Sequence, residues 1–205
     1  MGPELLFQAN VVDPTRNRVE SLEASLQKAL PDRYVAAGYD STNKLLDTLT
    51  SNPWRVPLVV VADSAARTPN VEEGVFARVK RLVPRCRSVF FSASMQERDT
   101  MDRLRLVDRV VGSTWENPLS ALIDAVLDAI RSFEDTVEFA LITQFAEKVR
   151  KAEHGDESVV DDGEGPLSPR RMLIEMARGT ARGRRYLLAM HPEVDLIQAL
   201  KRTAS

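Results

Sequence analysis

Four side chains in the first two thirds of this 205-residue chain stand where oxygen chemistry can be assembled: Asp13, Asp63, Ser92 and Ser113. Each follows a short apolar run, so two carboxylates and two hydroxyls would meet in one small cleft if those runs are parallel strands of a single sheet. A second set is cationic. Arg170, Arg171, Arg178, Arg182, Arg184 and Arg185 crowd around Gly179 and Gly183. Such a cluster can fold onto acidic residues of its own or a neighbouring chain, grip a partner or a nucleic acid, or form a solvated face. Cys86 lies between Arg85 and Arg87, whose charge favours a thiolate, but no histidine lies near it and a lone cysteine entering a strand usually serves packing.

The same inventory excludes other chemistry. One cysteine rules out a disulfide framework or a cysteine-based zinc site, and two histidines, His154 and His191, leave little for a histidine metal site, so no metal site is expected. No G-x-x-x-x-G-K-[ST], G-x-G-x-x-G or G-x-S-x-G motif occurs, which leaves nucleotide, dinucleotide and hydrolase readings without an anchor. The composition, 43% hydrophobic and 28% charged, is that of a globular protein. With 28 Lys+Arg against 30 Asp+Glu, the formal charge of −2 disfavours whole-chain attraction to nucleic acid or anionic membrane. The start MGPELLFQANVVDP has no secretory progression and no apolar run approaches about 18 residues. These features predict a cytoplasmic protein without a membrane partner.

The elements that must position the four oxygen-bearing residues alternate between short apolar runs and amphipathic stretches, the pattern of a parallel α/β sheet. Strands are expected at Leu5 to Val12, Tyr34 to Ala37, Val56 to Ala62, Ser88 to Ser92 and Asp108 to Val111. Helices are expected from Arg16 to Leu30, from Ser41 to Leu49, around Val75, Val79 and Leu82, from Gln96 to Leu106, and from Pro118 onward. Five such βα units predict a flavodoxin-like doubly wound five-stranded parallel sheet, whose ligands sit at the carboxyl ends of the strands.

Beyond the sheet, Leu119, Ile123, Val126, Ile130, Phe133 and Val137 follow steps of four and three, the spacing of a dimer seam. The run reaches Lys151 without glycine or proline and as one helix would be about 50 Å long; two packed pieces broken near Ser132 are the alternative. The expected divisions are residues 1–132 for the sheet domain, 133–152 for a helical extension, 153–167 for a flexible acidic linker and 168–205 for a basic helical tail. Ser168 and Pro169 suit the N-cap and first position of a tail helix. From Glu134 to Leu167 the chain carries ten acidic and three basic residues, and from Ser168 to Ser205 three acidic and eight basic.

Over roughly residues 5 to 132 the order of these features resembles the receiver domains of bacterial response regulators. The resemblance implies that an acidic pair after the first strand holds Mg²⁺, that Asp63 at the end of VVVAD is the phospho-acceptor, that Ser92 in Phe91-Ser92-Ala93 contacts the phosphoryl group, and that a lysine after the fifth strand pairs with it. Ala62 is the alternative occupant of the acceptor register. The chain departs from this pattern: Pro14 replaces the second acid beside Asp13. In VVGSTWENP, Ser113 stands at the lysine position, Thr114 at that of the proline and Trp115 at the usual aromatic place, and Val110 replaces the switching aromatic residue. Mg²⁺ usually keeps waters around one or two carboxylates plus phosphate, and phosphoryl transfer needs metal and cation to neutralise spread charge. The departures therefore imply a pseudo-receiver, with no cofactor and with Mg²⁺ expected only if the receiver site is active.

The sequence thus points to a non-enzymatic bacterial signalling protein whose phosphorylation-independent receiver-like domain mediates interaction with a protein partner and homodimerisation. One alternative is a nucleic-acid-binding regulator, antiterminator-like or transcriptional, acting through the basic C-terminal helices. A second is a working phospho-acceptor receiver switched at Asp63.

Overall fold

In the computed structural model, residues 4–62, 74–92, 107–112, 116–151, 156–157 and 160–190 are described. Asp63, the loop with Pro69 and Asn70, the helix expected from Gln96 to Leu106, the stretch Ser113 to Trp115, and everything from His191 onward lie outside them. The chain divides into two units, residues 6–132 and residues 133–205 together with 1–5.

The first unit is organised by its most apolar run. Arg55–Ala62 (β3) is buried from Val56 to Ala62, so both of its faces are covered. It lies at the centre of a parallel sheet with Leu6–Val12 (β1), Tyr34–Tyr39 (β2), Arg87–Ser92 (β4) and Arg109–Gly112 (β5), in the order β2-β1-β3-β4-β5. That order is the flavodoxin-like doubly wound one. Pro57 sits inside β3 although it lacks an N–H for the ladder. The register with β1 shifts at this point, Gln8 opposing Pro57 and Ala9 opposing Val59, and β4 joins only from Val59. The bulge therefore absorbs the missing donor.

Helices Arg16–Ala29 (α1), Thr42–Ser51 (α2), Val75–Leu82 (α3) and Pro118–Glu134 (α4) flank the strands. Their buried residues are the periodic ones: Val19, Leu22 and Leu26 in α1, Leu45 and Leu49 in α2, Val75, Phe76 and Val79 in α3. Gln27 of α1 accepts the Ala36 N–H at 2.8 Å, so the helix also satisfies a donor on edge strand β2. Against this apolar background two polar residues of β1 stand out. Gln8 and Asn10 are 1% and 0% exposed, and their amide groups have no hydrogen-bond partner among the described residues, an arrangement that costs about 1–3 kcal/mol per group.

The helix opened by Pro118 does not run on to Lys151. It ends at Glu134, and after two intervening residues a new helix, Val137–Lys151 (α5), begins. Thr136 makes the break: its Oγ1 accepts the Phe139 N–H at 3.1 Å, capping α5, while donating to the Phe133 carbonyl at 2.6 Å. Asp135 and Glu138 place negative charge where the new helix N-terminus favours it. The single 50 Å helix is thereby corrected, and the heptad stripe is interrupted between Phe133 and Val137. Burial shifts as well: Leu122, Val126 and Ile130 are at most 2% exposed, whereas Leu119, at the head of the expected seam, is 40% exposed.

The second unit contains a further correction. The stretch read as a flexible linker holds a small antiparallel hairpin, Val160–Asp161 (β6) with Pro166–Leu167 (β7). Its loop uses Gly163 and Gly165 at φ 85° and 100°, a backbone region that glycine enters without steric cost. Next come Pro169–Arg178 (α6) and Ala181–Met190 (α7). Ser168 caps α6 through the Arg171 N–H, as the sequence indicates, and Gly179 at φ 71° closes it by donating to the carbonyls of Glu175 and Met176. Helix α6 packs on both α5 and α7, with Leu173, Met176, Ala177 and Leu187 buried. No helix of the described residues is long and apolar enough to cross a membrane.

The α6–α7 approach depends on Gly183, where an added Cβ would lie 2.1 Å from the Glu175 carbonyl oxygen. Replacing a mid-helix glycine by alanine ordinarily stabilises by about 1 kcal/mol. Here the sign is expected to invert: Gly183→Ala should cost about 1–3 kcal/mol through overpacking against backbone. Chemical denaturation followed by helix content measures this, and a more stable variant would mean that the two helices do not meet there.

Candidate functional site

In a doubly wound sheet the side chains to examine are those at the carboxyl ends of the strands. β1 delivers Asp13, which is 3% exposed. Both of its oxygens are engaged. Oδ1 accepts the Thr15 N–H at 2.8 Å, shaping the turn into α1, and Oδ2 faces the Arg18 Nε at 3.2 Å. The Arg18 guanidinium also lies 5.2 Å from the ring centroid of Phe91, near the end of β4, a cation–π contact. One guanidinium therefore bridges the ends of two strands in the region where the sequence places a reactive cleft.

No motif of the sequence marks Arg18, but a weaker signal does. The first turn of α1 has no acidic residue and carries two arginines, the unfavourable sign at a helix N-terminus. Cations placed there need anions nearby. Arg16 finds Glu20 and Arg18 finds Asp13.

Of the other expected pocket residues, Asp63 and Ser113 lie outside the described residues, and for Ser92 only the backbone, at the end of β4, is described. Among the described residues no group of three His, Cys, Asp or Glu stands together to hold a metal ion. One oxygen of Asp13 is on a backbone N–H and the other faces Arg18, so a Mg²⁺ ion bound there would compete with the guanidinium for Oδ2. Cys86 is 1% exposed, and burial pushes its thiol up from the ordinary value, the reverse of what a nucleophile requires.

The cationic residues of the C-terminal unit are brought together with the acidic hairpin. Arg182 grips Asp162 through two nitrogens, Nε to Oδ2 at 3.0 Å and Nη2 to Oδ1 at 2.6 Å, and also donates to the Gly165 carbonyl at 2.6 Å. The Tyr186 hydroxyl donates to the same carboxylate at 2.6 Å, Arg185 pairs with Glu164, and Arg170 with Asp156. Hydrogen bonds from Arg182 and Tyr186 hold the Asp162 carboxyl well below the usual carboxylate range. Arg178 is half-buried, whereas Arg171 and Arg184 are exposed. Of the three explanations open for the cluster, folding onto the chain's own acidic segment describes Arg170, Arg182 and Arg185.

No protein-family model and no curated protein matches the chain. Among solved structures it is similar to a response regulator from Thermotoga maritima, at 16% identity over 62% of this chain and 99% of that one, with a TM-score of 0.48. It is also similar to a pilus assembly-related protein from Burkholderia pseudomallei, at 18% identity over 63% and 92% of the two chains, with a TM-score of 0.47. A third similarity is to the signal receiver domain of an HD domain-containing protein from Pseudomonas fluorescens, at 16% identity over 62% and 93%, with a TM-score of 0.47. The fold assignment stands on the strand order of this chain itself.

Two outcomes follow from these ion pairs. Arg18→Met removes the counter-ion of a buried carboxylate and should cost about 1–2 kcal/mol, less than for a fully buried pair because Arg18 is partly solvated. Asp13→Asn in the same chain should return part of the loss in urea denaturation, and equal stability of single and double variants would contradict the pairing. For Asp162 the folded-state value is depressed, so its contribution is present above the unfolded value of about 4 and fades as pH falls through the folded one. The melting-temperature difference between wild type and Asp162→Asn should accordingly be full at pH 7 and shrink steadily below about pH 4.

Proposed function

We propose that this chain is a non-enzymatic bacterial regulatory protein of the two-component signalling type, in which a receiver-like domain works without phosphorylation as a platform for a protein partner. The observation that carries the reading is the closure of Asp13 by Arg18. The acid that would contribute to a Mg²⁺ site is buried and already neutralised from within the chain. The sequence supports it independently, with Pro14 where a second acid would stand and Ser113 where a lysine would. A fixed guanidinium gives the carboxyl-end region a permanent charge state in place of one that a phosphoryl group sets. Such a domain signals by binding.

The C-terminal unit fits the same reading. Its arginines are the motive for a nucleic-acid-binding alternative, yet Arg170, Arg182 and Arg185 already hold carboxylates, and phosphate contacts would have to displace them. Homodimerisation through the helical seam has less to draw on, because Val126, Ile130 and Phe133 are buried within a single chain. A dimer would use other surfaces.

The test is a titration of the full chain with beryllofluoride and Mg²⁺, read by the amide resonances of Asp13, Asp63 and Ser92. Linear, non-saturating shifts are expected, together with no hydroxylamine-labile phosphate after incubation with a small phosphodonor. Saturable shifts at Asp63 and Ser92, or a labile phosphate on Asp63, would establish the working switch instead.

A further inference from the structure

The sheet has a second candidate site at its opposite edge, where the amino ends of β4 and β5 meet the last turns of α4. An open cavity of about 210 Å³ lies there, lined among others by Arg87, Val89, Arg109, Ala125, Asp128 and Ser132. The register pairs Val89 with Arg109, and alternation along β4 returns Arg87 to the face of Val89. Two guanidinium-bearing residues therefore share one face of the sheet beside an apolar wall, Val89 at 0% and Ala125 at 8% exposure.

Two arginines, Arg87 and Arg109, and two aspartates, Asp108 and Asp128, line this cavity. Asp108 is fully committed. It accepts the Ser88 N–H at 2.7 Å, Arg87 Nη1 at 2.8 Å and Lys80 Nζ at 3.1 Å. Burial opposes its ionisation, but these three donors outweigh that and hold its carboxyl below the usual range. Asp128 is engaged with Arg131 at 3.6 Å. Arg109 has no counter-ion among the described residues. Lys80, Arg87 and Arg131 thus hold the two lining carboxylates, which leaves the Arg109 guanidinium uncompensated beside a concave surface with an apolar back.

We propose that this cleft is an oxyanion site that takes a carboxylate or phosphate group, with Arg109 as its principal donor and Arg87 beside it. Guanidinium groups match the planar, paired oxygens of such anions, and the space is smaller than the roughly 300–1,000 Å³ usual for whole small-molecule ligands. It suits one charged group with a short apolar stem. The same chemistry is offered by a free small anion and by an acidic side chain of a polypeptide. The site does not rest on the state of the Asp13 region, which lies at the other end of the strands.

Isothermal calorimetry and amide shifts at Val89 and Arg109 test it on the full chain, at constant ionic strength set by chloride. One arm uses inorganic phosphate and citrate, the other a glutamate-rich peptide. Saturable binding in either arm, weakened about tenfold or more by Arg109→Gln with an unchanged melting temperature, supports the site and identifies the source of the anion. Failure of both arms to saturate, or equal binding by Arg109→Gln, overturns it.

Discussion

A parallel sheet cannot leave a face uncovered, and everything in the first unit follows from meeting that demand around β3. Seven consecutive buried residues in one strand, Val56 to Ala62, require covering elements on both sides, and the crossovers that supply them bring the strand ends to one edge. The edge is where Asp13 emerges. The arrangement also explains why Gln8 and Asn10 are conspicuous. They occupy central positions of β1, a strand otherwise apolar from Leu6 to Val12, and burying their amides opposes the interaction that organises the sheet.

Charge is handled in both units by neutralisation at short range. Asp13 has Arg18, Asp108 has Arg87 and Lys80, and Asp162 has Arg182. Each pair spans separate pieces of secondary structure or a turn, so the ion pairs tie elements together as well as removing charge. Arg109, beside the cavity at the other end of the strands, has no such partner among the described residues.

The strands of the parallel sheet were legible because two-sided burial writes continuous apolar runs, and each of the five lies within two residues of its expected bounds. The helices α1 to α3 were legible from their three-and-four spacing. Other features have weaker signals. Thr136 breaks a helix by a side-chain cap in a stretch with neither glycine nor proline, and heptad spacing continued across it. Residues 153–167 read as a flexible acidic linker by composition, but Asp162 and Glu164 are held by arginines some 20 residues later, a long-range match that a local window does not contain. Within the candidate site, Asp13 was visible as the end of a strand. Arg18 was hidden because its partner lies five residues back across a turn. The matching of the cleft arginines needed the register of β4 with β5, which no single segment carries.

The hairpin β6–β7 has one last implication. A ladder of two residues on each strand has too few bonds to offset the entropy of ordering its own backbone. What holds it is the guanidinium and phenol of α7, clasped around the Asp162 carboxylate. The hairpin can therefore persist only while α7 is wound, and α7 in turn is wedged against α6 at Gly183. Loop, strands and both helices should consequently come apart as one cooperative block, with amide protons throughout it sharing one opening free energy.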